Sequence, residues 1–166
     1  MKNDVFTFIV FAGVLLIGLW YVYANYYSEI YDWLGVRVNY TIFIDEVVFA
    51  VTVADEPTEW RQGLSGVRSL SDQTGKLFIF DSPDRYGIWM KDMLIPIDIL
   101  WIDDERIIIH IEENISPDTY PETFSSPTPA RFVLEVPAFT VESFKITPGQ
   151  KITLPAELVP VDLQNI

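Results

Sequence analysis

The run Ile95–Ile102, IPIDILWI, constrains this chain more than any other stretch. In an extended conformation Ile95, Ile97, Ile99 and Trp101 fall on one face, and Pro96, Asp98, Leu100 and Ile102 on the other. A strand that is apolar on both faces has to be covered on both, which predicts a central position in a sheet with packed layers above and below. Its one carboxylate, Asp98, must then be satisfied away from water. An ionised, unpartnered carboxylate in such a place costs several kcal/mol. Asp98 therefore needs a cation or several donors, and Arg61, Arg68 and Lys91 are the natural suppliers. Two readings stay open for it: a buried ion pair that fixes strand register, and a carboxylate poised at a pocket.

The rest of the chain after residue 36 has the period of strands. Val38, Tyr40, Ile42 and Ile44 alternate with other residues, Asp45-Glu46 reads as a turn, and Val47 to Ala54 reads as a second strand, so a hairpin is expected over 38–54. Asp55 is placed to cap a short helix with Pro57 in its first turn and Trp60 and Leu64 on one face. Further strands are expected over 76–80, 87–90, 106–113, 131–137 and 151–154, with a loop at 82–85 and a one-turn helix at 140–145. On 106–113, Ile107, Ile109 and Ile111 face in. Residues 114–130 hold four prolines and no clear period, which reads as one long loop. The expected fold is mainly β, a small barrel or sandwich over 37–155 with one or two short helices, followed by a weakly patterned tail at 156–166.

Residues 1–36 belong to a different regime. Val5 to Ala24 is twenty residues without a charge, and a helix of about that length crosses a ~30 Å hydrocarbon core. Trp20, Tyr21, Tyr23, Tyr26 and Tyr27 cluster at its far end, where amphipathic rings favour the membrane interface. Lys2 precedes it and Glu29 and Asp32 follow, so the N-terminus is expected in the cytoplasm and the β domain outside. The alternative is a secreted domain released by signal cleavage before Asn25, although a signal core is usually shorter than this run.

Charge narrows the partners. The formal net charge is -13, and such a chain repels phosphate backbones, which argues against nucleic acid. There is no cysteine and one histidine, His110, so a zinc site is not expected; the alternation of His110 with Ile109 and Ile111 turns it to the surface. Asp103-Asp104-Glu105 and Glu112-Glu113 lack the spacing of a calcium loop. Ser65, Ser69 and Ser71 stand in no nucleophile motif, and Gly63 and Gly66 in no phosphate-binding one. Nothing calls for a cofactor.

The candidate ligand-binding residues are Arg61, Trp89, Lys91, Asp98 and Glu135. Trp89 and Trp101 offer flat surfaces and Lys91 a donor, which suits a small polar ligand such as a saccharide; the plain alternative is a pair of core aromatics with a snorkelling lysine. Glu135 in FVLEV reads as a solvated outward position, since Phe132, Leu134 and Val136 take the other face. Its alternative is a second carboxylate for Asp98, as glycoside hydrolysis requires at ~5–9.5 Å.

The segments WRQGLSGVRSL, GKLFIF, GIWMKDMLIPIDILWID, IIHIEENISPDTYPETF, FVLEVPAF and ITPGQKI, in that order, resemble the domain-of-unknown-function 192 family of bacteria and archaea. The resemblance covers roughly 37–155 and implies a mainly β domain, often behind a signal peptide or anchor, with no established activity. Lys76 stands where the family pattern usually has Met, Val67 precedes the Arg that usually follows GLSG directly, and Phe139 stands where a Gly usually follows. The expected function is a membrane-anchored extracytoplasmic domain that binds a small polar ligand or an envelope protein. A structural interaction module without a pocket and a metal-independent hydrolase are the alternatives.

Overall fold

Alternation of apolar and polar residues builds the first hairpin. The structure, a computed structural model, describes residues 39–164. The expected anchor over 5–24 lies outside the described residues. Among the described residues no helix is long and apolar enough to cross a membrane. β1 (Tyr40–Ile44) and β2 (Val47–Ala54) pair antiparallel with Ile44 opposite Val47. Asp45, in the turn between them, takes φ 50°, a left-handed conformation that Asp tolerates better than most residues.

Helix α1 (Pro57–Gln62) follows. Its N-cap is Glu56 rather than the expected Asp55, because Glu59 reaches back and its Oε2 accepts the backbone N–H groups of Asp55 and Glu56 at 3.1 and 3.3 Å. β3 (Thr74–Asp84) lies parallel to β2 and antiparallel to β8 (Ala130–Pro137). The loop expected at 82–85 is mostly strand; a register shift between Ile79 and Asp84 accommodates Pro83.

β5 (Ile97–Ile102) is central, as its two apolar faces require. It sits between β6 (Ile108–Ile115) and β8, and all six of its residues are buried. The expected facing of 106–113 is corrected: a register shift against β5 sends Ile108 and Ile111 to one core and Ile109 to the other. The expected long loop over 114–130 contains the end of β6, a 3-10 turn at Pro117–Thr119 and β7 (Thr123–Phe124), which pairs with β4 (Ile88–Trp89) in a separate ribbon. α2 (Thr140–Phe144) and β9 (Ile152–Thr153) complete the domain.

The strands form one seven-stranded sheet in the order β6-β5-β8-β3-β2-β1-β9. The sheet curls into a half-barrel whose edges meet at one place. There Ile107 bridges Lys151, and Ile108 N–H donates to Gln150 C=O at 2.9 Å. The inner core draws on all seven strands, with Leu77, Leu100, Ile108, Leu134 and Ile152 among its members. The tail joins it: Leu158, Val159 and Leu163 are buried there by two 3-10 turns. The outer core holds Phe78, Ile97, Ile99, Trp101 and Val133, with Trp60 and Leu64 packed over it.

Candidate functional site

Asp98 is fully buried, and its partners are backbone donors rather than the expected Arg61, Arg68 or Lys91. Asn114 N–H donates to its Oδ1 and Val141 N–H to its Oδ2, each at 2.8 Å. Val141 is the second residue of α2, and the N-cap residue of that helix, Phe139, makes no side-chain cap. Asp98 thus caps α2 from a distant strand. Asn114, at φ 54°, accepts Phe139 N–H on its Oδ1 at 3.1 Å and closes the knot.

The register of β5 against β8 decides the paired-carboxylate reading. Asp98 stands opposite Val136, and Ile99 opposite Glu135. Adjacent strand positions point to opposite faces, so Asp98 enters the inner core and Glu135 the outer one. The two do not flank a common bond, and hydrolysis by this pair is excluded.

Glu135 corrects a second expectation. It is only 4% exposed, not solvated. β8 is as central as β5, and the cover over its outer face comes from α1 and the turn that follows. Among the described residues Glu135 Oε2 has no hydrogen-bond partner. Burial pushes the carboxyl pKa up to about 8, against the opposing pull of Lys76. Lys76 stands directly opposite Glu135 on β3. Around neutral pH Glu135 is therefore largely a neutral acid, able to donate a hydrogen bond.

Above Glu135 lies a cleft of about 30 Å³, lined among others by Arg61, Gly63, Ser65, Phe78 and Trp89. That is room for roughly two water-sized atoms. Gly63 ends α1 at φ 48° and ψ -128°, backbone that a side chain strains to adopt. A Cβ there would stand 3.2 Å from Phe78 Cζ and 3.6 Å from Glu135 Oε2, so this glycine keeps the cleft open. Ser65 Oγ donates to Lys91 C=O at 2.8 Å and ties the turn to the rim.

Trp89 is 44% exposed at the rim, with Lys91 Nζ 5.8 Å from its ring centroid and Tyr120 edge-on at 6.2 Å. Trp101 is no part of this surface: it is fully buried, with its Nε1–H donated to Tyr86 C=O at 3.1 Å. His110 is half-buried, its Nε2 3.1 Å from Glu112. Among the described residues no three acidic or imidazole side chains are gathered as a metal would need.

The structure therefore brings Arg61, Trp89 and Glu135 to one cleft, sets Lys91 beside it, and leaves Asp98 on the far side of the sheet. Gly63, Phe78 and Lys76 are the participants that sequence reasoning missed. The signal for Gly63 was its place at the end of a short helix beside Trp60.

The profile of DUF192, described as an uncharacterized ACR, matches residues 40–154. The chain belongs to the DUF192 family. Two crystal structures are similar to this DUF192 domain. One is a protein from Sinorhizobium meliloti described as a candidate transcription regulator. It has a TM-score of 0.68 and 27% identity, over 71% of this chain and 95% of that one. The other, from Novosphingobium aromaticivorans, is described as a protein of unknown function. It has a TM-score of 0.65 and 27% identity, over 70% of this chain and 84% of that one. No curated protein matches the chain.

Proposed function

We propose that this DUF192 chain is a membrane-anchored extracytoplasmic domain that binds a small polar, saccharide-like ligand at the cleft over Glu135. The observation that carries the reading is the unpartnered Oε2 of a buried acid at the floor of that cleft. Buried polar atoms almost always have a partner, so an orphan on a residue that lines a cleft marks a place for a polar group from outside. The cleft admits one functional group, and the body of the ligand rests outside it on the exposed ring of Trp89. The anchor rests on the uncharged run 5–24 and its flanking charges.

An envelope protein docking on Trp89 and Tyr120 is the second reading, supported by their joint exposure. The description of the Sinorhizobium meliloti protein as a regulator does not carry over well, because a net charge of -13 opposes binding to DNA.

The test is a glycan and metabolite panel read by thermal melting of the full chain in non-ionic detergent, with Trp89→Ala in parallel. A ligand of the folded state raises the midpoint by mass action. The expected result is a hit that Trp89→Ala loses while melting as cooperatively as wild type. A panel without hits, or hits that survive the substitution, would remove the cleft from consideration.

A further inference from the structure

We infer that the group held in this cleft is a carboxylate, carried by an acidic saccharide of the uronic-acid kind. The inference rests on the proposed binding function and names its ligand class. Size is the first argument. About 30 Å³ accommodates roughly two water-sized atoms, which matches the two oxygens of one carboxylate and excludes a whole sugar ring.

Charge is the second argument. Among the described residues that line the cleft, Arg61 is the one cation and Glu135 the one acid. A cationic group would meet the positive charge of Arg61 and an acid without charge to offset it. A carboxylate meets that positive charge and an acid that has kept its proton. The guanidinium fork of Arg61 is complementary to a carboxylate.

Donor chemistry is the third argument. Glu135 Oε2 is buried and, among the described residues, unpartnered, and a carboxylic acid whose O–H faces a carboxylate makes a short, charge-assisted hydrogen bond. A neutral hydroxyl would take the same place with a weaker bond. Because the bond needs the proton, binding is coupled to proton retention on Glu135 and weakens as pH rises past about 8. An acidic chain thereby keeps one locally cationic, hydrogen-donating spot for an anion.

The experiment uses four small probes: acetate, glucuronate, glucose and glucosamine. Each is titrated into the full chain in detergent micelles. The readout is the indole N–H resonance of Trp89, assigned by its loss in Trp89→Phe. At pH 6.5 acetate and glucuronate shift that resonance, and glucuronate does so at about threefold lower concentration or less because its ring lies on Trp89. Glucose and glucosamine leave it unmoved at the same concentrations. Raising the pH to 9 weakens both acids about tenfold, as the protonated fraction of Glu135 falls. In Glu135→Gln the amide still donates, so glucuronate binds but with no dependence on pH, a change that a purely structural Glu135 would not produce.

Glucose binding as tightly as glucuronate would overturn the carboxylate and leave the polar-ligand function standing. Acetate equal to glucuronate would keep the carboxylate and overturn the saccharide. Silence from all four probes would overturn both, and an unchanged pH dependence in Glu135→Gln would overturn the role given to its proton.

Discussion

Raising the pH should weaken the fold through Glu135, and Glu135→Gln should abolish that weakening. Burial raises the carboxyl from its ordinary value of 4.5 to about 8 in the folded chain. A raised acid pKa means that the folded state holds the proton more tightly than the unfolded state does. The associated stability is fully present below pH 4.5 and is lost as pH climbs through 8. At about 1.4 kcal/mol per pH unit, the loss between these limits is at most about 5 kcal/mol, a large part of a typical total of roughly 5–15 kcal/mol. The assay is urea unfolding of the full chain in non-ionic detergent, followed by tryptophan fluorescence at pH 5, 7 and 9. Gln mimics the neutral acid, so the variant should match wild type closely at pH 5 and exceed it by several kcal/mol at pH 9. Asp55 and Asp104 are also raised, each chiefly by burial, but they act in both proteins and cancel in the difference. Parallel curves for wild type and Glu135→Gln across this range would refute the argument.

Other expectations follow from the same structure. Asp98→Ala strands the buried N–H of Val141 and the part-buried N–H of Asn114, and at about 1–3 kcal/mol for a buried donor and less for the other it should cost about 2–4 kcal/mol in the same urea assay; a loss below about 1 kcal/mol would contradict the capping role. Phe139 sits at φ 68° with 58% of its surface exposed, so Phe139→Gly relieves about 1–2 kcal/mol of left-handed strain against about 0.5–1 kcal/mol of added chain entropy. It should raise stability slightly, and a clear loss would show that the exposed ring is held by contacts. Gly63→Ala should cost about 1–3 kcal/mol of strain and also block the cleft, so ligand-induced shifts at Trp89 should vanish in a chain that still melts cooperatively.

What the sequence made legible is whatever a local pattern encodes. Two apolar faces over Ile97–Ile102 demand a central strand, and β5 is one. The hairpin of β1 and β2 and the short helix α1 are likewise written in alternation, a capping glutamate pair and a proline. What stayed hidden depends on partners far along the chain. Asp98 is satisfied by backbone N–H groups, which have no letter in the sequence. The tail buries Leu158, Val159 and Leu163 from turns too short to show a period. Glu135 looked solvated because FVLEV resembles a strand with one wet face; its cover is supplied by a helix and turn more than seventy residues earlier.

Two carboxylates one register step apart on neighbouring central strands have opposite fates, and the contrast carries the functional argument. Both are buried. Asp98 receives two backbone donors at 2.8 Å and holds α2 and β6 in place. Among the described residues Glu135 Oε2 receives none, and Glu135 lines a cleft kept open by a glycine. A fold optimised for stability alone would fill that cleft or replace the acid, since an apolar residue of similar size would remove the burial cost. An acid left orphaned at the foot of an opening, beside an exposed indole, costs stability that a bound polar group would restore. That cost, measured as the gain in Glu135→Gln above pH 8, is the quantity against which the affinity of any ligand for the cleft should be compared.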